Sequence, residues 1–168
     1  MITRVITARL WIGVAVLGLV APATSVAQTA PAGGVPGPSP GRQAIDTRKA
    51  ALTLIGANFR PLGAILRGTA PFDADEVEKR AGRVAFLTGL LDESFPAESN
   101  LGEPDTKAKA EIWSNLPDFT KRLKDFQTHS AALVQVAATE KAATDTFKAA
   151  VAAVGQDCKG CHDTYRIQ

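Results

Sequence analysis

Methionine is almost missing from this chain of 168 residues: it occurs once, as Met1. Any site needing a methionine ligand in the folded part is excluded by that inventory. Histidine and cysteine occur twice each, as His129, His162, Cys158 and Cys161. A zinc site needs four ligands, and beside Cys158, Cys161 and His162 only His129 and scattered carboxylates could supply the fourth. A surplus of one charge is lacking too: the formal net charge is +2, whereas a nucleic-acid binder needs a basic face. Charged residues make up 21% of the chain and hydrophobic ones 45%, which is too apolar for a disordered tail. The length suits one domain that buries its own core without disulfide staples.

Long hydrophobic runs are also absent. The stretch Leu10–Ala21 is apolar but too short to span a bilayer comfortably. It follows Arg4 and Arg9 and precedes Ser25-Val26-Ala27, which is the layout of an export signal cleaved after Ala27, giving a signal peptide at 1–27. Its removal takes the net charge to zero, because Arg4 and Arg9 are its only charged side chains. The expected location is the periplasm, an oxidising compartment where two free thiols pair or are otherwise consumed. The alternative is an uncleaved membrane anchor, which the short apolar run disfavours and which would leave the folded part outside the cytoplasm all the same; no membrane partner is expected. Residues 28–42 are dense in proline and glycine, have no apolar period, and read as a flexible linker. The folded unit is expected at 43–168.

No alternating period and no Asn-Gly hairpin signal occurs after Gln43, which argues against a sheet. Four amphipathic segments are present instead. The first carries Ile45, Arg48, Leu52, Ile55, Phe59 and Leu62 at bundle-seam spacing, with Pro61 expected to kink or loosen a turn and Gly68 to end it. The second spans Asp73, an N-cap, to Asp92 through Val77, Ala81, Val84, Leu87 and Leu91. A loop at 95–105 and a short stretch through Ile112 and Trp113 precede the third, which starts near Pro117 and carries Phe119, Leu123, Phe126, Leu133 and Ala137. The fourth begins near Glu140 and shows Phe147, Ala150, Val151, Val154, Cys158 and Cys161 on one face. The fold class is all-α, an antiparallel four-helix bundle.

Cys158-Lys159-Gly160-Cys161-His162 is C-x-x-C-H, the attachment signature of a c-type haem. Two thiols add across the two porphyrin vinyl groups, and the adjacent imidazole binds the iron. On a helix the three side chains fall within an arc of about 100°, so they face one side. A simple Cys158–Cys161 disulfide in a small interaction bundle, or a thioredoxin-like pair, would use C-x-x-C without needing His162, and the second would need a βαβ context that the sequence does not offer. With no methionine available, the other face of the iron has few candidates. His129 lies on the flank of its apolar stripe, and a lysine would have to lose its proton and hydration. The expectation is five-coordinate, high-spin iron held by His162 under an apolar pocket. Arg48 occupies a seam position where an unpaired charge is costly, and haem propionates would compensate it in bidentate fashion. Leu52 would project from the same face toward the iron with Ile55 beside it, and Arg166 follows His162 by one helical turn.

With these features the chain resembles cytochrome c′, the class II c-type cytochromes. The resemblance covers most of 43–166 and is carried by Thr47–Ile55, Glu111-Ile112-Trp113, Val154–Cys158 and Cys161–Arg166. It implies covalent haem c on Cys158 and Cys161, one per chain, with His162 as the axial ligand. It also implies Arg48 and Lys49 near the propionates and Leu52 as the bulky residue over a vacant sixth position. Phe95 would be a second distal residue, Arg166 the basic residue of the proximal side, and Lys107 a propionate contact. Family members bind nitric oxide and carbon monoxide, discriminate against oxygen, and form homodimers through the first two helices. A leucine-lined pocket gives bound oxygen no polar support, whereas nitric oxide binds ferrous iron without it and weakens the His162 bond opposite. The departures are Pro61, the long N-terminal extension and a longer loop at 95–109. The expected function is capture or buffering of nitric oxide; the alternative is a periplasmic electron carrier with its own redox partner, for which iron with six ligands would be better suited. No catalytic dyad or phosphate loop is present, so no enzyme activity is expected.

Overall fold

The structure, a computed structural model, describes residues 37–168. The expected signal peptide at 1–27, and the linker as far as residue 36, lie outside the described residues. Helix α1 runs from Pro40 to Leu66, opening three residues before the expected boundary at Gln43. The Ser39 hydroxyl accepts the Arg42 amide at 3.3 Å, and Pro40 takes the first position, where its missing N–H would be unpaired anyway. A Ser-Pro cap was thus concealed among the prolines of the linker. The helix continues unbroken through Pro61, so the lost bond to the Ala57 carbonyl does not end it. Leu62, Gly63 and Ile65 of the next turn are buried and hold it. It stops at Leu66, two residues before Gly68, whose φ is +71°: the Thr69 amide reaches Ala64 O and the Gly68 amide reaches Ile65 O, both at 2.9 Å, a left-handed closure that favours glycine.

Helix α2 spans Ala74–Gly89, with the Asp73 carboxylate accepting the Glu76 amide at 3.0 Å, a cap worth about 1 kcal/mol. It ends before the expected Asp92 because the amides of Leu90, Leu91 and Asp92 bond three residues back rather than four, tightening the chain into turns. After a 3₁₀ turn at Ala97–Ser99 and the single turn α3 (Glu111–Ser114), α4 spans Leu116–Thr139 and α5 spans Asp145–Tyr165. The last helix starts later than Glu140. Glu140 is extended, and the Thr144 hydroxyl accepts the Phe147 amide at 3.2 Å, setting the cap.

The four long helices close into a ring: α1 packs on α2 and α5, and α4 packs on α2 and α5. The chain is an all-α four-helix bundle, with no strand element among the described residues. Ile55, Leu62, Val77, Val84, Leu133, Phe147, Val151 and Val154 fill its main core. A second, smaller cluster of Ile112, Phe119 and Tyr165 sits where α3, α4 and the end of α5 meet. Gly41 lets the 3₁₀ turn rest on α1, since a Cβ there would stand 2.1 Å from Glu98 O. Among the described residues no helix is long and apolar enough to cross a membrane.

Candidate functional site

The C-x-x-C-H turn lies in the last two turns of α5, at the junction of the two apolar clusters. Cys158 packs on the main core and Cys161 on the smaller cluster. Both are free, half-buried thiols. Burial, with Asp157 and Cys161 adding to it, pushes the Cys158 thiol up to about 11. Burial also raises Cys161, with the Arg122 cation opposing. His162 is exposed, and the desolvation it does meet, with the neighbouring Arg166 charge, holds it below its ordinary value, favouring the neutral ring that ligates metals. Two half-buried thiols against the two apolar clusters, with an imidazole on the adjoining position of the same helix, are a donor set that fits covalent haem.

Helix α1 faces this turn. Gly155 on α5 lies against the Phe59 ring, which a Cβ there would meet at 3.8 Å. About two turns back along α1 and two forward along the antiparallel α5, Leu52 comes level with His162. Leu52 is 40% exposed and Ile55 is 4% exposed. The two expected pocket residues therefore differ: Ile55 belongs to the core, and Leu52 stands outside it. Phe95 is half-buried and packs against both clusters, while Lys49 is exposed.

Arg48 is 2% exposed. Its Nη1 donates to Ser94 O at 3.1 Å and Ser99 Oγ at 2.7 Å, and its Nη2 to Ser99 O at 3.2 Å and Thr106 Oγ1 at 2.9 Å. The guanidinium lies 5.0 Å from the Phe95 ring centre and 5.8 Å from that of Trp113. The compensation expected from propionates is thus supplied here by the 94–106 loop. Arg48 also holds that loop on α1, together with the Arg42–Asp105 ion pair at 2.5 Å. Trp113 Nε1 donates to Phe95 O and Pro96 O, both at 3.1 Å, fixing the loop from its other side.

Arg166 does not continue the helix, as the one-turn spacing suggested. Its backbone is extended and faces Ala108 in an isolated antiparallel bridge, with Lys109 N donating to Tyr165 O at 3.0 Å and Ile167 N to Lys107 O at 2.9 Å. Its charge still reaches His162. Lys107 is exposed and donates to Gln168 O at 3.4 Å, near the chain end. His129 is tied to Asp157, Nδ1 to Oδ2 at 2.7 Å.

Three residues escaped the sequence reading. The Asp118 carboxylate, through Oδ2, accepts the Tyr165 hydroxyl at 2.6 Å and Arg122 Nε at 2.7 Å. Arg122 Nη1 donates to Gly160 O at 3.1 Å, inside the C-x-x-C-H turn. Only the i, i+4 spacing of Asp118 and Arg122 was readable beforehand. Tyr165 and Arg122 hold the Asp118 carboxyl below the usual carboxylate range. A group depressed in the folded state stabilises the protein above its ordinary value of about 4 and loses that contribution as pH falls through the lower folded value. Denaturant midpoints measured across the acid range are therefore expected to fall less steeply in Asp118→Asn than in the wild type; equal slopes would show that this carboxylate does not couple to folding.

A four-helix bundle carrying C-x-x-C-H near the end of its last helix defines a c-type cytochrome of the bundle class. The family model described as Cytochrome C' matches residues 43–166. The cytochrome c' of Halomonas halodenitrificans is 33% identical over 128 residues, covering 74% of this chain and 96% of that protein. The solved cytochrome c prime from Shewanella frigidimarina is 39% identical, with a TM-score of 0.72 over 79% of this chain and 100% of that one. A nitric oxide complex of a point mutant of cytochrome c prime from Alcaligenes xylosoxidans aligns with a TM-score of 0.67 at 29% identity, over 76% of this chain and 97% of that one. The chain belongs to the cytochrome c′ family. Like its members it carries covalently bound haem c with its iron, and Cys158 and Cys161 are its only thiols.

Proposed function

We propose that this is a periplasmic binding protein for diatomic gases, chiefly nitric oxide, rather than an enzyme. Cys158 and Cys161 anchor the haem, and His162 is its one protein ligand. The observation that carries the reading is the ligand inventory: the only methionine is Met1, and the only other histidine, His129, is bound to Asp157. When bound, the haem supplies an iron centre with an open coordination position. His162 would hold that iron through its imidazole. Leu52, level with it, and Phe95 would line the ligand's side with hydrocarbon, which would give bound oxygen no hydrogen-bond donor. Lys49, Lys107 and Arg166 are exposed cations on this end of the molecule, suited to propionates or to solvent at the haem edge. The nitric oxide complex of the Alcaligenes xylosoxidans relative supports the choice of gas. Arg4, Arg9 and the Ser25-Val26-Ala27 site support export.

The protein also has a surface suited to a homodimer. Leu54 of α1 and Phe86 and Leu90 at α2 are 51%, 72% and 43% exposed. A groove of about 550 Å³ between the two helices is lined by Leu54, Asn58, Gly82, Phe86 and Leu87 together with the cations Lys79 and Arg83, and its lining includes no residue of α4 or α5. Exposed apolar patches of this kind mark association surfaces, and a monomer in sedimentation equilibrium would remove this part of the proposal. For the gas-binding reading the test is the absorption spectrum of the purified ferrous protein before and after carbon monoxide. Broad high-spin bands that sharpen on exposure are expected. Sharp low-spin bands that ignore the gas would identify an electron carrier with six ligands instead.

A further inference from the structure

Arg122 and Gly160 lie on different helices and are joined across 38 residues by one hydrogen bond. We propose that Arg122 is a positioning residue for the haem-attachment turn: from α4 it holds the Gly160 carbonyl and so fixes how α5 presents His162. The inference rests on the assignment of Cys158, Cys161 and His162 made above and adds to it what controls the imidazole.

The guanidinium is itself held. Its Nε donates to Asp118 Oδ2, the same oxygen that accepts the Tyr165 hydroxyl, and it lies 5.8 Å from the centre of the Tyr165 ring. That ring packs edge-on against Phe119 at 5.4 Å and is 3% exposed. Asp118, Phe119 and Arg122 all belong to the first two turns of α4. They touch α5 at Gly160 and at Tyr165, two residues before and three residues after His162. The turn bearing the imidazole is therefore clamped at both ends, and rotating it away would break both contacts. A planar guanidinium suits this role because its fork serves the carboxylate and the carbonyl at once, which an ammonium on a flexible stem does not. Glycine suits the second variable position of the motif because a Cβ there would stand 3.3 Å from Arg122 Nη1, so that the guanidinium would have to give by a few tenths of an ångström.

If His162 holds the iron, the clamp would set how readily the imidazole lets go when a gas ligand binds. In the full haem-loaded chain, Arg122→Ala is expected to lower the iron–imidazole stretching frequency in the ferrous resonance Raman spectrum. It is also expected to speed release of His162 under nitric oxide several-fold in stopped-flow traces. Arg122→Lys is expected to restore only part of both. Gly160→Ala keeps every charge and shifts only Nη1, so it should move the band the same way by less, and it serves if Arg122→Ala does not fold. An unchanged band in Arg122→Ala, or in Gly160→Ala where the first variant is lost, overturns the proposal. A wild-type ferrous protein with no iron–imidazole band at all would instead remove the five-coordinate reading, and the clamp with it.

Discussion

Carbon monoxide is expected to combine with the ferrous Leu52→Ala protein about a hundredfold faster than with the wild type, equivalent to ~2.7 kcal/mol of barrier at 1.36 kcal/mol per decade. The barrier is steric. Leu52 is level with His162 across the α1–α5 contact, and it stands outside the core at 40% exposure while Ile55, nearly one turn on, is sunk in it at 4%. On the proposed reading a branched side chain over the iron would have to swing aside before a diatomic molecule enters. Alanine has nothing to move. Because Leu52 contributes little to the bundle core, the substitution should leave the denaturant midpoint nearly unchanged, unlike the Leu→Ala losses of 2–5 kcal/mol typical of buried sites. Flash photolysis gives the rate and a urea titration gives the stability. A wild-type rate in the variant would take Leu52 out of the role, and a large stability loss would mean that it packs into the core after all.

Much of the bundle is legible in the sequence because the relevant physics is local. The seams Ile45–Ile55–Leu62 and Val77–Ala81–Val84 announce buried helix faces through spacing alone, and these residues are buried in the structure. Asp73 announces its cap by residue type, and the haem turn is a contiguous pentapeptide. What failed was decided by competition or by distance. Ser39 and Pro40 form a cap but sit in a composition that reads as linker. Thr144 competes with Glu140 for the start of α5, and a threonine hydroxyl one residue before the helix wins. Arg166 looks helical by spacing, yet its backbone pairs with a segment almost sixty residues upstream, which periodicity cannot foresee. Arg48 is the instructive mixture. Its seam position shows that a buried cation needs acceptors, but the acceptors Ser94, Ser99 and Thr106 lie 46 to 58 residues away in a loop without any pattern.

That loop is where the largest loss of stability is expected. Arg48→Leu keeps a comparable apolar bulk on the seam but removes all four donors to Ser94 O, Ser99 Oγ, Ser99 O and Thr106 Oγ1. The two hydroxyls retain other partners, since Ser99 Oγ donates to Pro96 O at 2.7 Å and Thr106 Oγ1 accepts from Ala108 N at 3.1 Å. The two carbonyls are left worse off, in residues only 2% and 0% exposed, and a buried acceptor stripped of its partner costs about 1–3 kcal/mol. With the stacking on Phe95 and Trp113 also lost, worth roughly 0.5–2 kcal/mol, and the relief of no longer burying a cation set against these losses, the expected destabilisation is about 3–5 kcal/mol. That is a large share of the 5–15 kcal/mol by which domains of this kind are typically stable. Arg48→Lys should recover less than half, because one ammonium cannot reach both sides of the loop. Amide exchange in residues 94–106 is expected to accelerate before exchange in the core of α2 or α4 does, since the loop is released locally. If the urea midpoint of Arg48→Leu corresponds to a loss under about 1 kcal/mol, or if exchange rises uniformly, then the guanidinium is not what holds the loop to α1, and its burial must be compensated chiefly by the haem propionates.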